Sequence, residues 1–256
     1  MIKLENISFS YDRTSLIADL SCEINRGEFV GIIGPNGSGK TTLIKLVCGL
    51  LKAGSGNVYL DGKNISDYSY RKRARLISVV PQEANIPFSF SVKEVVLMGR
   101  ASYMSALSFE DRSDLAICER VMEMTKISHL SNRSIHEISG GERQRVVLAR
   151  ALAQEAEIII LDEPTNFLDL KHQVSIYQLL TRLNIEAKKT IIAVQHDINL
   201  AAIYCKRILI LKDGGLISDG TPNDTITYAN IKRAFDAETY VGVNEFTGIP
   251  YYIPYK

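Results

Sequence analysis

In EFVGIIGPNGSGKTTLIKLVCGL, Glu28 to Leu50, an apolar run ends at Gly34, a glycine-rich turn follows, and a helical pattern begins after Gly39. The turn fits G-x-x-x-x-G-K-[ST] with Gly34, Gly39, Lys40 and Thr41, and a strand before it and a helix after it are the context in which that spacing cradles phosphate. Glycines let the backbone turn its N–H groups inward. The Lys40 ammonium can reach β and γ phosphates, and the Thr41 hydroxyl can ligate Mg²⁺.

Working outward, three more runs are nearly continuous in apolar residues: RLISVV (75–80), EIIILD (157–162) and KTIIAVQ (189–195). Such runs read as strands covered on both faces, and helical patterns separate them, so a parallel-sheet core is expected. The N-terminal runs IKLENISFSY, LIADLSCEI and GNVYLDGKNI alternate, and the last carries an Asp61-Gly62 turn signal; they predict antiparallel strands. From Ser91 to Asn132 the period turns helical, with Leu115, Cys118 and Met122 on one stripe and Ile117, Val121 and Met124 on the next. The expected fold is α/β: a parallel-sheet core, an N-terminal antiparallel β subdomain and an inserted helical lobe at about 91–150, all one domain over 1–256. The tail from Thr221 (221–256) reads as a short mixed extension with little chemistry.

The 30 Lys and Arg nearly balance the 29 Asp and Glu, and the formal charge of +1 argues against nucleic acid as an obligate partner. The run RKRAR, Arg71 to Arg75, reads as a solvated face ahead of a strand. Cys22, Cys48, Cys118 and Cys205 stand far apart with no metal-ligand spacing, as reduced cysteines of a cytosolic protein would. No apolar run approaches the ~20 residues that span a bilayer, and the first residues lack the order of a signal peptide.

A cradle of this kind needs an acidic partner ending another parallel strand, and EIIILDEP supplies Asp162 and Glu163. Asp162 is placed for the Mg²⁺ shell. Pro164 bars the α conformation at Glu163, so the chain bends off the strand and Glu163 can face an attacking water as base or orienter. His196 ends another apolar run, with Asp197 set to cap the helix that follows; taken alone it reads as structural, and its sheet edge favours a catalytic role. Gln82 is, on residues alone, a loop glutamine. ISGGERQRV, Ile138 to Val146, is a second glycine-rich helix start, which suits phosphate, yet Ser139 and Glu142 also form S-x-x-E, a capping box that needs no ligand.

Together these stretches resemble the ATP-binding cassette family in order and spacing over about residues 1–220. The resemblance assigns Gly34, Pro35, Asn36, Gly37, Ser38, Gly39, Lys40, Thr41 and Thr42 to the Walker A loop that binds ATP, Gln82 to the Q-loop, ISGGE to the signature, EIIILDE to Walker B, NFLD to the D-loop and His196 to the switch histidine. It implies that Glu163, His196 and Gln82 act in hydrolysis, and that Thr41, Gln82 and Asp162 hold Mg²⁺. It also implies that Tyr11 stacks on adenine, beside the plain alternative of a strand tyrosine. In this family two cassettes meet head to tail, so Ser139, Gly140, Gly141 and Glu142 would close over the ATP of a second copy.

More narrowly, SVKEVVLMGR, LDEPTNFLDLKHQ and QHDINLAAIYCKRILILKDGG are similar to ATPase subunits of importers for iron-siderophore, haem and cobalamin complexes. That likeness implies a homodimer on the cytoplasmic face of the membrane, docked on membrane-spanning permease subunits and served by an extracytoplasmic binding protein. Phe167 in place of the usual His, and GRASY in place of GR-x-P, leave the cargo open. A stand-alone cassette of another transport system (metal ion or exporter) and a non-transport cassette of translation or DNA repair are the alternatives.

Overall fold

A computed structural model describes residues 1–11, 14–82, 84–104, 111–165 and 168–255. The chain divides into two compact units, Met1–Tyr68 with Lys188–Lys256, and Ser69–Ala187.

The first unit begins with β1 (Ile2–Tyr11), β2 (Thr14–Ile24), β3 (Phe29–Ile33), α1 (Lys40–Val47), β4 (Ser55–Leu60) and β5 (Lys63–Asn64). An antiparallel sheet in the order β2-β1-β4-β5 forms the N-terminal subdomain. Its core face is Ile2, Leu4 and Ile7 on β1 and Ile17, Leu20 and Ile24 on β2. Strict alternation would turn Ile7 outward; register shifts after Leu4 restore it, with Asn6 and Asp19 both at φ 47° and joined by a 2.9 Å hydrogen bond. Asp61 and Gly62, at φ 49° and 78°, make the two-residue turn between β4 and β5.

The second unit holds α2 (Tyr70–Leu76), β6 (Ile77–Val80), α3 (Val92–Leu97), α4 (Arg112–Met124), α5 (Gly140–Ala153), β7 (Ile158–Asp162) and α6 (Leu170–Glu186). β6 and β7 pair in parallel, and α3, α4 and α5 pack on one another within the span read as a helical lobe. RKRAR lies in α2, which buries no residue, ahead of a strand that starts at Ile77 rather than Arg75; within it Arg75 sits over the Tyr103 ring and donates to the Ser102 carbonyl. The buried stripe of α4 is Asp114, Cys118, Val121 and Met122, which takes Cys118 and Met122 from one expected stripe and Val121 from the other and adds an acid. Asp114 is tolerated there because Arg100, itself 5% exposed, donates to it at 2.7 Å, and the same guanidinium reaches the Ala153 carbonyl and Glu155.

The first unit resumes with β8 (Thr190–Val194), α7 (Ile198–Tyr204), β9 (Arg207–Lys212), β10 (Gly215–Gly220), α8 (Pro222–Thr225), α9 (Tyr228–Phe235), β11 (Thr239–Val243) and β12 (Pro250–Pro254). β3 lies between β8 and β9, parallel to both, and β10 runs antiparallel on β9. Every residue of β3, β7 and β8 is buried, as parallel strands covered on both faces require. The tail is more ordered than its composition indicated: α8, α9 and the β11–β12 hairpin follow Thr221, and Asn199 of α7 ties the hairpin down through both backbone groups of Tyr252. No helix among the described residues is long and apolar enough to cross a membrane. The four cysteines are free thiols.

Candidate functional site

In the first unit, the parallel register sets Ile32 of β3 opposite Val194 of β8, so the loop from Gly34 and the residue His196 both leave the carboxyl edge. The loop is built around its glycines. A Cβ at Gly34 would overlap the Leu211 carbonyl and stand 2.8 Å from Ser38 Oγ; one at Gly39, where φ is 96°, would press 2.6 Å from the Leu16 carbonyl. Gly39 is the N-cap of α1 and brings no side-chain acceptor to that helix's first turn. Lys40, 5% exposed, spans the loop and donates to the Gly34 and Pro35 carbonyls at 2.9 Å each. Ser38 Oγ is buried with no hydrogen-bond partner among the described residues. A helix start without a side-chain cap and an orphaned hydroxyl are both polar groups that a phosphate oxygen satisfies, so the loop fits the group its sequence implies.

Tyr11 ends β1, half exposed, with its ring edge-on to Phe9 at 4.9 Å. The residues of FSY two apart share a face, so spacing alone already pairs Phe9 with Tyr11. His196 is exposed, and Asp197 caps α7 by accepting from the Leu200 N–H at 3.0 Å.

In the second unit, Val80 of β6 pairs with Leu161 of β7, and carrying that register two residues further sets position 82 against position 163. The side chains meet: Gln82 Nε2 donates to Glu163 Oε2 at 2.6 Å. Asp162 and Glu163 are buried, at 5% and 8% exposure. Glu163 sits at φ 52°, a left-handed conformation that costs a non-glycine residue roughly 1–2 kcal/mol and gathers at functional sites. The bend off the strand before Pro164 is therefore real, and it takes the left-handed form.

α5 begins with the capping box read from the sequence. Ser139 Oγ accepts from the Glu142 N–H at 3.3 Å, while Glu142 Oε2 accepts from the Ser139 N–H at 2.8 Å. These Ser139 bonds hold the Glu142 carboxyl below the usual carboxylate range. α3 starts with the same box on Ser91 and Glu94, but there Val92 and Lys93 fill the two intervening positions that Gly140 and Gly141 leave bare. Among the described residues nothing lies within 4 Å of a Cβ at Gly140, and a Cβ at Gly141 would make only an ordinary 3.4 Å contact with Leu168. Neither glycine has positive φ. The cap does not need them, the backbone does not need them, and no described residue of their own chain crowds them.

The ABC transporter family description matches residues 17–166. The chain belongs to the ABC transporter family. This cassette is 39% identical over 251 residues to the uncharacterized ABC transporter ATP-binding protein YvrA of Bacillus subtilis, covering 97% of this chain and 57% of that one. It is 38% identical over 255 residues to the hemin import ATP-binding protein HmuV of Pseudomonas fluorescens, covering 98% of each. It thus spans a little over half of YvrA and nearly all of HmuV. Among solved structures, one of a metal-chelate type ABC transporter in an inward-facing conformation overlays with a TM-score of 0.87 at 26% identity, covering 100% of this chain and 97% of that one. The dimeric structure of MJ0796, a bacterial ABC transporter cassette, overlays with a TM-score of 0.79 at 36% identity, covering 86% and 98%.

Sorted by unit, Tyr11, the Gly34–Thr42 loop and His196 belong to the first, and Gln82, Asp162, Glu163 and Ser139–Glu142 to the second. The D-loop residues Asn166 and Phe167 lie outside the described residues.

Proposed function

We propose that this cassette is the ATP-hydrolysing subunit of a membrane importer, working as a head-to-tail pair in which Ser139, Gly140 and Gly141 of one copy close on the ATP held by the Gly34–Thr42 loop of the other. The observation that carries the reading is the bare glycine pair. Two adjacent glycines that no described residue crowds, at ordinary φ and with a cap that works without them at α3, are explained by a close approach from outside the chain. The dimeric MJ0796 cassette supports it.

In this reading Lys40 and the loop N–H groups bind the β and γ phosphates. Glu163 polarises the attacking water, with Gln82 as a positioning residue that fixes its carboxylate. His196 orients the γ-phosphate, and Tyr11 stacks on adenine. The hydroxyl of Thr41, the amide oxygen of Gln82 and the carboxylate of Asp162 are the hard oxygen donors that suit Mg²⁺, which when bound neutralises charge on the phosphates. Gln82 spends its Nε2 on Glu163 and keeps its Oε1 for that duty. The cassette sits peripherally on the cytoplasmic face, docked on permease subunits that an extracytoplasmic binding protein feeds. The exposed Phe88, ring-to-ring with Phe90 at 5.9 Å, offers the permease an apolar contact next to the Gln82 segment. The likeness to HmuV and to a metal-chelate type transporter supports haem or an iron chelate as cargo, and cobalamin is the third cargo that the sequence resemblance implies.

The test mixes differently tagged copies, one with Lys40→Ala and one with Ser139→Arg, both also carrying Glu163→Gln. Each homodimer has every composite site broken. A head-to-tail heterodimer has one site joining both lesions and one joining two intact halves, so half its sites occlude ATP. Occlusion no higher than in either homodimer would mean that ISGGE serves its own chain or no nucleotide.

A further inference from the structure

A cleft of about 620 Å³ opens in the second unit between Lys126, just past α4, Arg145 on α5 and the first turns of α6. Nothing in the hydrolytic reading uses it. Its rim is cationic: Lys126, Arg145, Lys171 and His172 line it, and among the described residues no ion pair involves Lys126 or Lys171. Among the described residues, the acids that face Arg145, Lys171 and His172 are already engaged. Asp169 caps α6 by accepting from the His172 N–H at 2.9 Å and also bonds His172 Nδ1 at 2.8 Å, and Glu142, which feels Arg145, is locked in its capping box. Arg145 adds a second observation: its Nε is buried and makes no hydrogen bond among the described residues. A buried guanidinium N–H without an acceptor is costly, and a ligand oxygen is the simplest way to satisfy it.

The floor is apolar. Leu170, 71% exposed, and Val174, one turn along, line the cleft from the same stripe of α6. Size decides between a small molecule and a docked peptide. The α6 wall runs from Leu170 to Gln178, about 12 Å at 1.5 Å per residue, too short to seat the i to i+7 anchors of a partner helix together with their flanks. The volume instead falls inside the roughly 300–1,000 Å³ range of small-molecule sites.

We propose that this cleft binds a small organic acid, its anionic group held by Arg145 with Lys126 and Lys171 and its apolar body lying on Leu170 and Val174. The probe is 2-naphthoate, titrated calorimetrically into the full chain beside the uncharged 2-naphthamide. One naphthoate binds per chain, and the amide binds at least tenfold more weakly. Lys126→Glu with Lys171→Glu, both at exposed positions, lowers naphthoate affinity at least tenfold with an unchanged circular-dichroism spectrum. Val174→Trp, which fills the cleft without touching its charge, lowers it as well. Lys40→Ala keeps it, because the anion is not in the Walker A loop. Equal affinity for acid and amide, binding that survives both cleft variants, or binding lost in Lys40→Ala would each overturn the proposal, as would no binding at millimolar probe. None of these outcomes depends on ATP turnover, so the proposal and the hydrolytic reading fail separately.

Discussion

Replacing three glycines by alanine separates packing from function. At Gly99 a Cβ would overlap the Arg150 carbonyl oxygen, and would stand 3.0 Å from the Ala153 Cβ and 3.2 Å from the Arg150 carbonyl carbon. Ordinary carbon contacts sit near 3.5–4.0 Å, so the turn that follows α3 must part from α5 by about 0.5 Å or more, and overpacking of this kind costs ~1–3 kcal/mol. At about 2–4 °C per kcal/mol for a chain of this size, Gly99→Ala should lower Tm by roughly 2–12 °C. Gly140→Ala meets no described residue and sits at ordinary φ, so it should leave Tm unchanged or raise it slightly, as a smaller unfolded ensemble adds about 0.4–1 kcal/mol. ATP turnover should order the variants the other way. Gly140→Ala and Gly141→Ala each put a methyl where the second copy's phosphate approaches, and losing one preorganised donor typically costs about 10²–10³ in rate. Calorimetric melting and steady-state phosphate release on the same preparations read both quantities. Wild-type turnover in Gly140→Ala would refute the outside-approach argument, and a Tm loss equal to that of Gly99→Ala would refute the claim that nothing in its own chain crowds it.

Glu163→Gln should cut turnover by about 10²–10⁴ while ATP binding measured by filter retention persists, whereas Lys40→Ala should weaken binding itself. Arg100→Met strands the buried Asp114 carboxylate and should destabilise the chain by ~3–5 kcal/mol in urea; adding Asp114→Leu should restore much of that loss. Phe88→Asp with Phe90→Asp should leave folding and ATP binding intact and abolish pull-down of the permease, and normal assembly would remove that surface from the docking reading.

The phosphate loop, the parallel strands and the α5 capping box were legible from residues 28–50, 157–162 and 139–142 because each depends on neighbours a few positions apart. Backbone freedom at glycine, alternation of side chains and reciprocal capping are local physics, and local physics is written in spacing. Four features were not. The bulges that return Ile7 to the core arise from pairing between β1 and β2, and no periodicity within β1 announces them. No spacing within α4 announces that Asp114 is buried: its partner Arg100 lies fourteen positions away and is itself held by the Ala153 carbonyl at the end of α5. Gln82 read as a loop residue until the register of β6 on β7 set it 2.6 Å from a carboxylate eighty-one positions later. The glycines of ISGGE were visible as letters, but their meaning turned on what does not touch them: the same motif with a crowded Gly140 would be a packing device, as Gly99 is. Short-range pattern dictated which elements form. Which side chains they bring together, and which they leave bare, depended on contacts between residues far apart in the chain, whose distances only the folded packing sets.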